Sequence, residues 1–533
     1  MKIAVIGSGL AAVSAAEALI ERGIIPIILD VGETLDSATA AVVKTLSQQS
    51  PDQWRSEDRE LITRNPTVAN KTTFPLKLAF GSDFFYGHST AENPIRGEGG
   101  LPPLSFAKGG FSVGWGSSVM PPADCDLIDW PIKFSELGQY FDRALAGKPY
   151  SVADDGLSIN FPTLTTSFNS LRLTPGNHSL LVDLRQAKLL AKDRLVFGQS
   201  RLMVRTKDDV NGTCCQYCGN CMSGCVYNAL YKSSCTIEFL QSAGKIDYRP
   251  GHVVSTLMDD RDGVTVKGVT KAGENFELRF DRVFLAAGAL NTTRIVLQSK
   301  KLYGKTVSLR STVAFIAPML RFKRSKLTWP NAFTLPGIIL EYKARKVSGH
   351  WIHCQISTPN ELVLQRLGLN VGQKGIITRI KTFLAEHLVL ALGNLHSTHG
   401  NGYDIRLEND NGKNVLVYSR QNGDLSRVAI KEAVLELLRI GSKIKCFPLL
   451  PLVQNSIVSG GYHVGGSLPM KMVPIEETDT DVFGTPKGWH SVHVVDSSIF
   501  PSLPGTTIGL LSMANAFRIA SEVPLRKSCT KTT

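Results

Sequence analysis

Residues 2–12 read Lys-Ile-Ala-Val-Ile-Gly-Ser-Gly-Leu-Ala-Ala, a β-branched run that enters a turn containing two glycines. A helical pattern of apolar residues follows as far as Ile20, and a second apolar run, from Ile24 to Leu29, ends at Asp30. This order predicts a strand, a tight turn, a helix and a second strand that ends at an acidic residue. Such a unit, with its two strands parallel, is typical of α/β proteins.

The glycine spacing predicts that this unit binds a dinucleotide. Gly7 permits the tight turn, Gly9 lets the backbone approach a pyrophosphate, and Ala12 stands where a third small residue allows close helix–strand packing. The N-terminus of the helix favours the phosphate charge. Asp30, 21 positions after Gly9, is placed to accept hydrogen bonds from a ribose. The alternative is a turn of the same fold that binds nothing, and the motif does not separate FAD from NAD.

Two further segments have the composition of ligand-binding turns. Residues 108–118 combine four glycines with two aromatic residues, and glycine lets a backbone press against a flat ligand. An ordinary surface loop is the alternative. Residues 283–289 predict a buried strand that runs into a small-residue turn, with a helix over 292–297 behind it. The candidate cofactor-binding residues in the two segments are Gly110, Gly114, Trp115, Gly116, Ala287 and Gly288.

A third strand is predicted near the end of the chain, over 492–495. It ends at Asp496, and Ser497 follows in the turn before a helix over 508–520. An acidic residue at the carboxyl end of a parallel strand lies where the ligands of such sheets bind. Asp496 and Ser497 are therefore candidate cofactor-binding residues as well.

Taken in order, these blocks resemble the glucose-methanol-choline (GMC) family of flavin oxidoreductases. The matching segments are 7–12 with Asp30, 109–116, 285–289, 462–466 and 495–501. The resemblance implies FAD as cofactor, a Rossmann-like FAD-binding domain and a discontinuous substrate domain built on a mostly antiparallel sheet. It also implies oxidation of a CH–OH group by hydride transfer to flavin N5.

The position of the blocks predicts two interleaved domains in an α/β chain, α+β overall. The FAD-binding domain is expected to comprise 1–135, 212–310 and 455–533. The substrate domain is expected to comprise 136–211 and 311–454. In the substrate domain, strands are predicted over 338–342, 351–357 and 415–419, and an amphipathic helix over 425–440 with Gly441 placed to end it.

His463 is the candidate catalytic base. Glycines stand on both sides of it, and imidazole titrates near neutrality, which suits a group that accepts an alcohol proton. The resemblance places the family's catalytic histidine here, although a lone histidine is more often structural. The family's second His or Asn would fall at Gly505 or Thr506. Neither fits, so the hydroxyl of Thr506 is the candidate substitute.

Six of the ten cysteines fall between Cys214 and Cys235. Four of them, Cys215, Cys218, Cys221 and Cys225, have the C-x2-C-x2-C-x3-C spacing of bacterial iron–sulfur sites, although Val226 replaces the usual proline. The segment also resembles the cysteine stretch of iron–sulfur GMC dehydrogenases. Structural zinc and a metal-free thiol loop are the alternatives. The candidate metal ligands are Cys214, Cys215, Cys218, Cys221 and Cys225.

These features predict an FAD-dependent dehydrogenase that acts on an alcohol, with a sugar or polyol favoured by analogy. An iron–sulfur cluster would pass electrons to a redox partner, a cytochrome or a quinone. The contrasting hypothesis is a flavoprotein without alcohol oxidation, an electron-transfer or assembly partner, and the missing second His or Asn favours it. An NAD-dependent enzyme is the third.

Composition excludes several other classes. The 533 residues are 43% apolar and 20% charged, which excludes collagen-like and largely disordered chains. The charge of +13 is dispersed, so binding to nucleic acid is not expected. No apolar run reaches the length of an integral membrane segment, and no signal peptide is recognised. A cytoplasmic protein is expected, unless a partner subunit carries it to or across a membrane.

Overall fold

The computed structural model describes residues 1–69, 76–91, 93–209, 212–344, 346–369, 375–421, 425–455 and 462–525. The strands are β1 (Ile3–Ile6), β2 (Ile27–Leu29), β3 (Ile95–Glu98), β4 (Leu195–Gln199), β5 (Asp247–Arg249), β6 (His252–Asp260), β7 (Gly263–Thr270), β8 (Asn275–Phe280), β9 (Arg282–Leu285), β10 (Thr306–Ser311), β11 (Val313–Arg321), β12 (Ile338–Tyr342), β13 (Ile352–Ser357), β14 (Leu388–Leu395), β15 (Tyr403–Asp410), β16 (Lys413–Arg420), β17 (Cys446–Pro448), β18 (Gln454–Asn455), β19 (Val464–Gly465) and β20 (Val492–Val494). The helices are α1 (Leu10–Glu21), α2 (Ser37–Ser47), α3 (Ser56–Thr63), α4 (Phe134–Leu145), α5 (Pro175–Gln186), α6 (Ser233–Ser242), α7 (Ala289–Ser299), α8 (Glu361–Arg366), α9 (Ile376–Ala385), α10 (Leu425–Lys443) and α11 (Gly509–Glu522).

The predicted βαβ unit is confirmed as part of a five-stranded parallel sheet. The strand order is β20-β9-β1-β2-β5, and every neighbouring pair is parallel. β1 is buried at all four positions, as expected of a central strand covered on both faces. α1 packs against α11, which brings the two ends of the chain into one core. This is the Rossmann-like part of the molecule.

A seven-stranded antiparallel sheet forms the second main layer. Its order is β17-β11-β14-β13-β12-β4, and β18 pairs with β11. One face packs on α5 and α10 in a core that includes Leu340 and Cys354. Because side chains alternate along a strand, the residues next to these two, Glu341 and His353, belong to the opposite face. That face carries the polar residues of the candidate site.

The predicted strands of the substrate segments are confirmed, but they divide between two sheets. β12 and β13 lie in the antiparallel sheet, whereas β16 lies in a mixed sheet of order β19-β10-β15-β16-β3. A small antiparallel sheet, β6-β7-β8, follows the Rossmann strand β5. The expected boundaries of the two domains stay a prediction.

Gly441 does not end the predicted helix. It lies inside α10, which continues to Lys443. A Cβ at this position would overlap the backbone oxygen of Cys446, so the glycine serves close packing and not helix termination. Among the helices in the described part of the chain, none combines the length and apolarity needed to cross a membrane.

Candidate active site

The glycine turn after β1 has the conformation that the motif predicts. Gly7 has φ of 103°, its N–H donates to the Leu29 oxygen at 2.8 Å, and a Cβ there would overlap the Ala286 oxygen. Gly9 precedes α1, and a Cβ there would meet no protein atom within 4 Å. Ala12 is completely buried where α1 packs. The turn therefore needs Gly7 for its own shape and leaves open space at Gly9.

Asp30 lies at the carboxyl end of β2 and is nearly buried. Its Oδ2 accepts hydrogen bonds from the Ser8 hydroxyl and from the Tyr248 hydroxyl, the latter at 3.0 Å. Burial raises its pKa to about 6. Ser8 also accepts a hydrogen bond from the backbone N–H of Gly109 at 2.9 Å. The acidic residue and the second glycine-rich segment are thus joined through one serine.

The segment 109–118 folds back against this turn. Gly110 has φ of 55°, and its Cβ position lies 3.4 Å from the Cα of Gly9. Gly116 faces open space, whereas Gly114 packs against the Phe85 ring and has no room for a side chain. The indole of Trp115 donates to the Tyr231 oxygen at 2.8 Å. Of these candidates, Gly110 and Gly116 leave their backbone free to approach a ligand.

Asp496 and Gly288 meet at the carboxyl ends of β20 and β9. The Asp496 carboxylate accepts hydrogen bonds from the Gly288 N–H at 2.9 Å, from the Thr292 hydroxyl, and from the N–H and hydroxyl of Ser498. Protein donors therefore engage both of its oxygens. Gly288 has φ of 86° and faces open space, next to the half-buried Ala287.

The residues present fit FAD, the cofactor that the resemblance implies, in two respects. The backbone has open space beside Gly9, Gly116 and Gly288, one in each of the three turns that the resemblance assigns to the cofactor, and we call these three positions the cradle. The second respect concerns two segments near the cradle, one around Trp115 and one before Gly509. These segments touch, because the Cβ position of Gly509 lies 2.9 Å from the Trp115 ring. Each carries buried hydroxyls that have no hydrogen-bond partner within the described residues. These hydroxyls belong to Ser117, Ser118, Thr506 and Thr507. Buried polar atoms normally have partners, so unpaired ones mark where a polar ligand fits.

His463 is held beside this cradle by backbone contacts. Val464 pairs with Ser311 in β19–β10, and the Ser497 hydroxyl donates to the Val464 oxygen at 2.7 Å. The His463 oxygen accepts from the Thr312 N–H at 3.1 Å. Gly460 and Gly461, which flank the histidine in sequence, lie outside the described residues. Ser497, which follows Asp496 in the turn after β20, thus joins that turn to the strand that directly follows the candidate base.

The environment of His463 favours its neutral form. Burial lowers the pKa of this half-buried histidine to about 4, and the charge of His353 lowers it further. An imidazole that stays neutral at physiological pH can accept a proton from a substrate hydroxyl. The strand register brings His353 to the same region. Thr312, which donates to the His463 oxygen, precedes Val313, and Val313 pairs with Leu395 of β14. The preceding residue of β14, Asn394, pairs with His353.

His353 belongs to a buried polar row on the antiparallel sheet. Its Nδ1 hydrogen-bonds Glu341, and its Nε2 lies 3.0 Å from the amide nitrogen of Gln355. His353 and Glu341 are completely buried, while Gln355 is half-buried. Asn394 stands opposite His353 in the register of β13 and β14. This row was not predicted. Its trace in the sequence is the polar residues that interrupt otherwise apolar strands, Glu341 in β12 and His353 and Gln355 in β13.

A pair of histidines, His350 and His396, lies where strand β13 begins and strand β14 ends. The rings of His350 and His396 stack at 3.8 Å, and His350 Nδ1 lies 3.2 Å from the Asp126 carboxylate. Burial and the nearby His350 lower the pKa of His396 to about 3. Its Nε2 has no hydrogen-bond partner within the described ranges. These residues were also missed.

Thr506 approaches this polar sheet through its neighbours. Leu503 donates to the Ser397 hydroxyl at 2.8 Å, and the Cβ position of Gly505 lies 2.8 Å from the Asn394 oxygen. Thr506 itself is completely buried. The structure thus brings His463, Thr506 and the polar row together at the junction of the Rossmann part and the antiparallel sheet.

The cysteines pack beside the 109–118 segment, since Cys218 and Cys225 share a hydrophobic cluster with Phe111 and Val113. Each of Cys215, Cys218 and Cys221 has its pKa raised chiefly by burial and further by neighbouring cysteines of the motif, that of Cys221 to about 12. The cysteines in the described ranges form no disulfide. Within those ranges, no three His, Cys, Asp or Glu side chains are grouped so that they could hold a metal ion. The expected iron–sulfur branch therefore gains no support, and the ligand roles, including those of Cys214 and Cys225, stay a prediction.

A half-buried lysine contacts the 109–118 segment and is influenced by two of the cysteines. Lys77 Nζ donates to the Trp115 oxygen at 2.7 Å, and burial lowers its pKa to about 8 against the opposing influence of Cys221, Glu361 and Cys225. The cysteine segment is therefore part of the packing that supports the 109–118 loop.

No family model matches this chain, and no curated protein matches it. Among solved structures, it is similar to pyridoxine 4-oxidase from Mesorbium loti, with a TM-score of 0.60 and 14% identity over 97% of this chain and 98% of that one. It is also similar to formate oxidase, with a TM-score of 0.59 and 13% identity over 97% of both chains. A formate oxidase variant from Aspergillus oryzae RIB40, described for its effect on FAD modification, has a TM-score of 0.59 and 12% identity over 97% of both chains. The predicted fold class, a mixed α/β chain with a Rossmann-like part, is thereby confirmed.

Proposed function

We propose that this chain is an FAD-dependent oxidoreductase of the GMC type that oxidises a CH–OH group of a small molecule to a carbonyl. The observation that carries the proposal is the position of His463. This half-buried and neutral base is joined, through its neighbour Val464 and Ser497, to the turn that follows β20, and a polar row of the antiparallel sheet lies near it. The fold shared with pyridoxine 4-oxidase and formate oxidase adds support.

The residues that would hold FAD are those of the open cradle. The N-terminus of α1 and the backbone at Gly9 suit the pyrophosphate, and Asp30 suits the ribose. Gly110, Gly116 and Gly288 leave room for the flat ring system or its chain. Asp496 would act indirectly, by holding the Gly288 turn. When bound, FAD supplies the acceptor for a hydride from the alcohol carbon.

The proton chemistry belongs to His463. As the hydride leaves the carbon, the hydroxyl proton passes to the imidazole, and the carbon–oxygen bond becomes a carbonyl. A positioned base contributes typically 10²–10⁴-fold to such a step. The pKa of about 4 keeps the imidazole unprotonated over the neutral range, at the cost of weaker basicity.

The polar row is proposed to take the place of the family's missing second His or Asn. Glu341 fixes the ring of His353, and His353 in turn orients the Gln355 amide. The half-buried Gln355 amide keeps a second N–H that can donate to the substrate oxygen. The Thr506 hydroxyl is the nearest group at the family's own position. A sugar or polyol is the proposed substrate class, since a row of imidazole and amide groups suits several hydroxyls.

The direct test is anaerobic mixing of the FAD-loaded protein with a panel of alcohols, sugars and polyols while the flavin absorbance is recorded. Bleaching by one of them, with formation of the matching carbonyl, is the expected result. A retained flavin that no CH–OH compound bleaches, but that a reduced protein partner does, would favour the electron-transfer alternative. A protein that retains no yellow chromophore and reduces NAD would overturn the FAD assignment.

The electron acceptor is a separate part of the proposal. We propose a dehydrogenase that passes electrons to a cytochrome or quinone, and oxygen consumption during turnover tests it. Rapid formation of hydrogen peroxide would instead identify an oxidase. Measurement of iron, labile sulfide and zinc in the purified protein tests the cysteine site. Absence of all three would leave a metal-free thiol loop.

A further inference from the structure

One helix of the antiparallel-sheet region turns its apolar face to solvent. The large side chains of α9 are 49–77% exposed, although such residues are normally buried. They are Ile376, Ile377, Ile380, Phe383 and Leu384, which we call the α9 stripe. A contiguous exposed patch of this kind on a soluble domain marks an interaction surface.

The stripe is continuous and has basic borders. At about 100° per residue, its five side chains span about 120° of the helix circumference. Arg379 falls on one border and Lys381 on the other. On the opposite side, Ala385 is buried and Thr378 and Thr382 are half-buried, so the small and polar face of α9 packs on the protein. This is the reverse of the arrangement expected for a surface helix of a globular protein.

The surroundings of the α9 stripe are also basic. The guanidinium of Arg324 lies 5.4 Å from the centre of the Phe383 ring and is 59% exposed. The acids that pair with this segment are mostly buried: Glu386, 5% exposed, pairs with Arg324, and Asp183, 16% exposed, pairs with Lys323. Lys323 and Lys326 are exposed in the same segment. The patch therefore presents apolar groups inside a field of positive charge.

We propose that the α9 stripe is a docking surface for an anionic lipid bilayer. An interfacial helix inserts its apolar side chains at the level of the headgroups while flanking Lys and Arg side chains contact the anionic lipids. A second copy of this chain fits less well, because stripe-to-stripe pairing would bring the same basic borders together. The net charge of +13 also favours binding to an anionic lipid surface. The proposal stands on α9 and does not depend on the enzymatic activity.

Co-sedimentation of the full chain with lipid vesicles tests the proposal. Vesicles that mix phosphatidylglycerol with phosphatidylcholine should bind the protein at low salt, and pure phosphatidylcholine vesicles should bind it much less. Ile376→Gln/Ile377→Gln should weaken binding about tenfold or more, and so should Arg379→Gln/Lys381→Gln. Gln keeps the helix propensity of α9 close to that of the original residues.

Ile25→Gln/Ile128→Gln is the matched control. Ile25 and Ile128 are 61% and 76% exposed and lie in the Rossmann part, away from α9. This variant should bind the mixed vesicles as the wild type does. Equal loss of binding in the control, or no binding of the wild type to mixed vesicles, would overturn the proposal. So would a wild-type dimer that the α9 variant converts to monomers, because the stripe would then be covered by a second copy.

Discussion

Glu341 on β12 hydrogen-bonds Nδ1 of His353 on β13, and both side chains are completely buried. A buried carboxylate is costly unless it has a partner, and burial raises the pKa of Glu341 while His353 lowers it. His353 also influences the pKa of His463. The antiparallel sheet, which has an apolar face toward α10, thus carries a hydrogen-bonded polar pair on its other face.

The first prediction concerns this pair. His353→Asn removes the imidazole whose electrostatic influence helps to lower the pKa of His463, so the pKa should rise from about 4, though burial, the larger cause, keeps it below 6.5. Protonation then inactivates the base at a higher pH. The acid limb of the flavin-reduction rate should therefore shift to higher pH, as measured by stopped-flow absorbance.

Glu341→Gln should shift the limb in the same direction, because loss of the carboxylate releases the His353 ring that Glu341 holds. Glu361→Gln is the matched control, since Glu361 is also completely buried but contacts Met222 in the cysteine segment. If Glu341→Gln slows reduction equally at every pH, the pair is only structural.

The second prediction concerns the base. His463→Ala should slow flavin reduction by about 10²–10⁴-fold, the usual range for loss of a positioned base. The FAD content should not change, because the cofactor cradle does not use this side chain. Wild-type speed in a variant that retains its flavin would contradict the assignment.

The Rossmann part was predictable because its requirements are local. Gly7, Gly9 and Asp30 stand in one short segment, and each is needed for a reason that backbone geometry supplies. Strand ends were less predictable. The apolar run from Ile24 predicts a strand that begins at Ile24, but β2 begins at Ile27. Pro26 lies just before it and cannot donate a hydrogen bond to a neighbouring strand.

The polar row of the site was not predictable in the same way. Glu341, His353 and Gln355 come together only through the pairing of β12 with β13, and Asn394 joins them through β14. The sequence carries the alternation but not the register, and it does not say which sheet face meets His463. The prediction that Gly441 ends the helix was wrong for a related reason, because the backbone of Cys446 packs against Gly441 and the sequence does not show this contact.

The third prediction separates two glycines of one turn. Gly7→Ala places a Cβ against the Ala286 oxygen at a φ of 103°, so it should destabilise the protein by about 2 kcal/mol or more, with or without FAD. Gly9→Ala has no such clash and a φ of −69°, so the FAD-free protein should unfold as the wild type does. Its FAD affinity should fall, because the new methyl group occupies the approach to the pyrophosphate. Thermal unfolding and flavin stoichiometry measure the two effects. Wild-type FAD binding by Gly9→Ala would place the pyrophosphate elsewhere.

The fourth prediction concerns acid stability and a histidine outside the site. His493 on β20 is 3% exposed, and burial together with Arg282 lowers its pKa to about 3. The folded protein therefore keeps it neutral down to about pH 3, whereas the unfolded chain protonates it near 6.5. Between these values the unfolded state binds more protons, so the free energy of unfolding falls as the pH falls, by up to about 1.4 kcal/mol per pH unit from this group.

His493→Gln should remove that contribution and flatten the pH dependence measured by urea unfolding at pH 7.5, 6 and 5. Other groups, such as Asp30 with its raised pKa, titrate in both proteins and cancel in the comparison. Thr485→Val is the control, because it deletes the 3.1 Å contact to His493 Nδ1 but keeps the imidazole. It should lower stability by a similar amount at each pH. If the slopes of wild type and His493→Gln coincide, then His493 is protonated in the folded protein. A protonated ring could not accept a hydrogen bond from Arg282 at Nε2, so the 3.0 Å contact would not be that hydrogen bond.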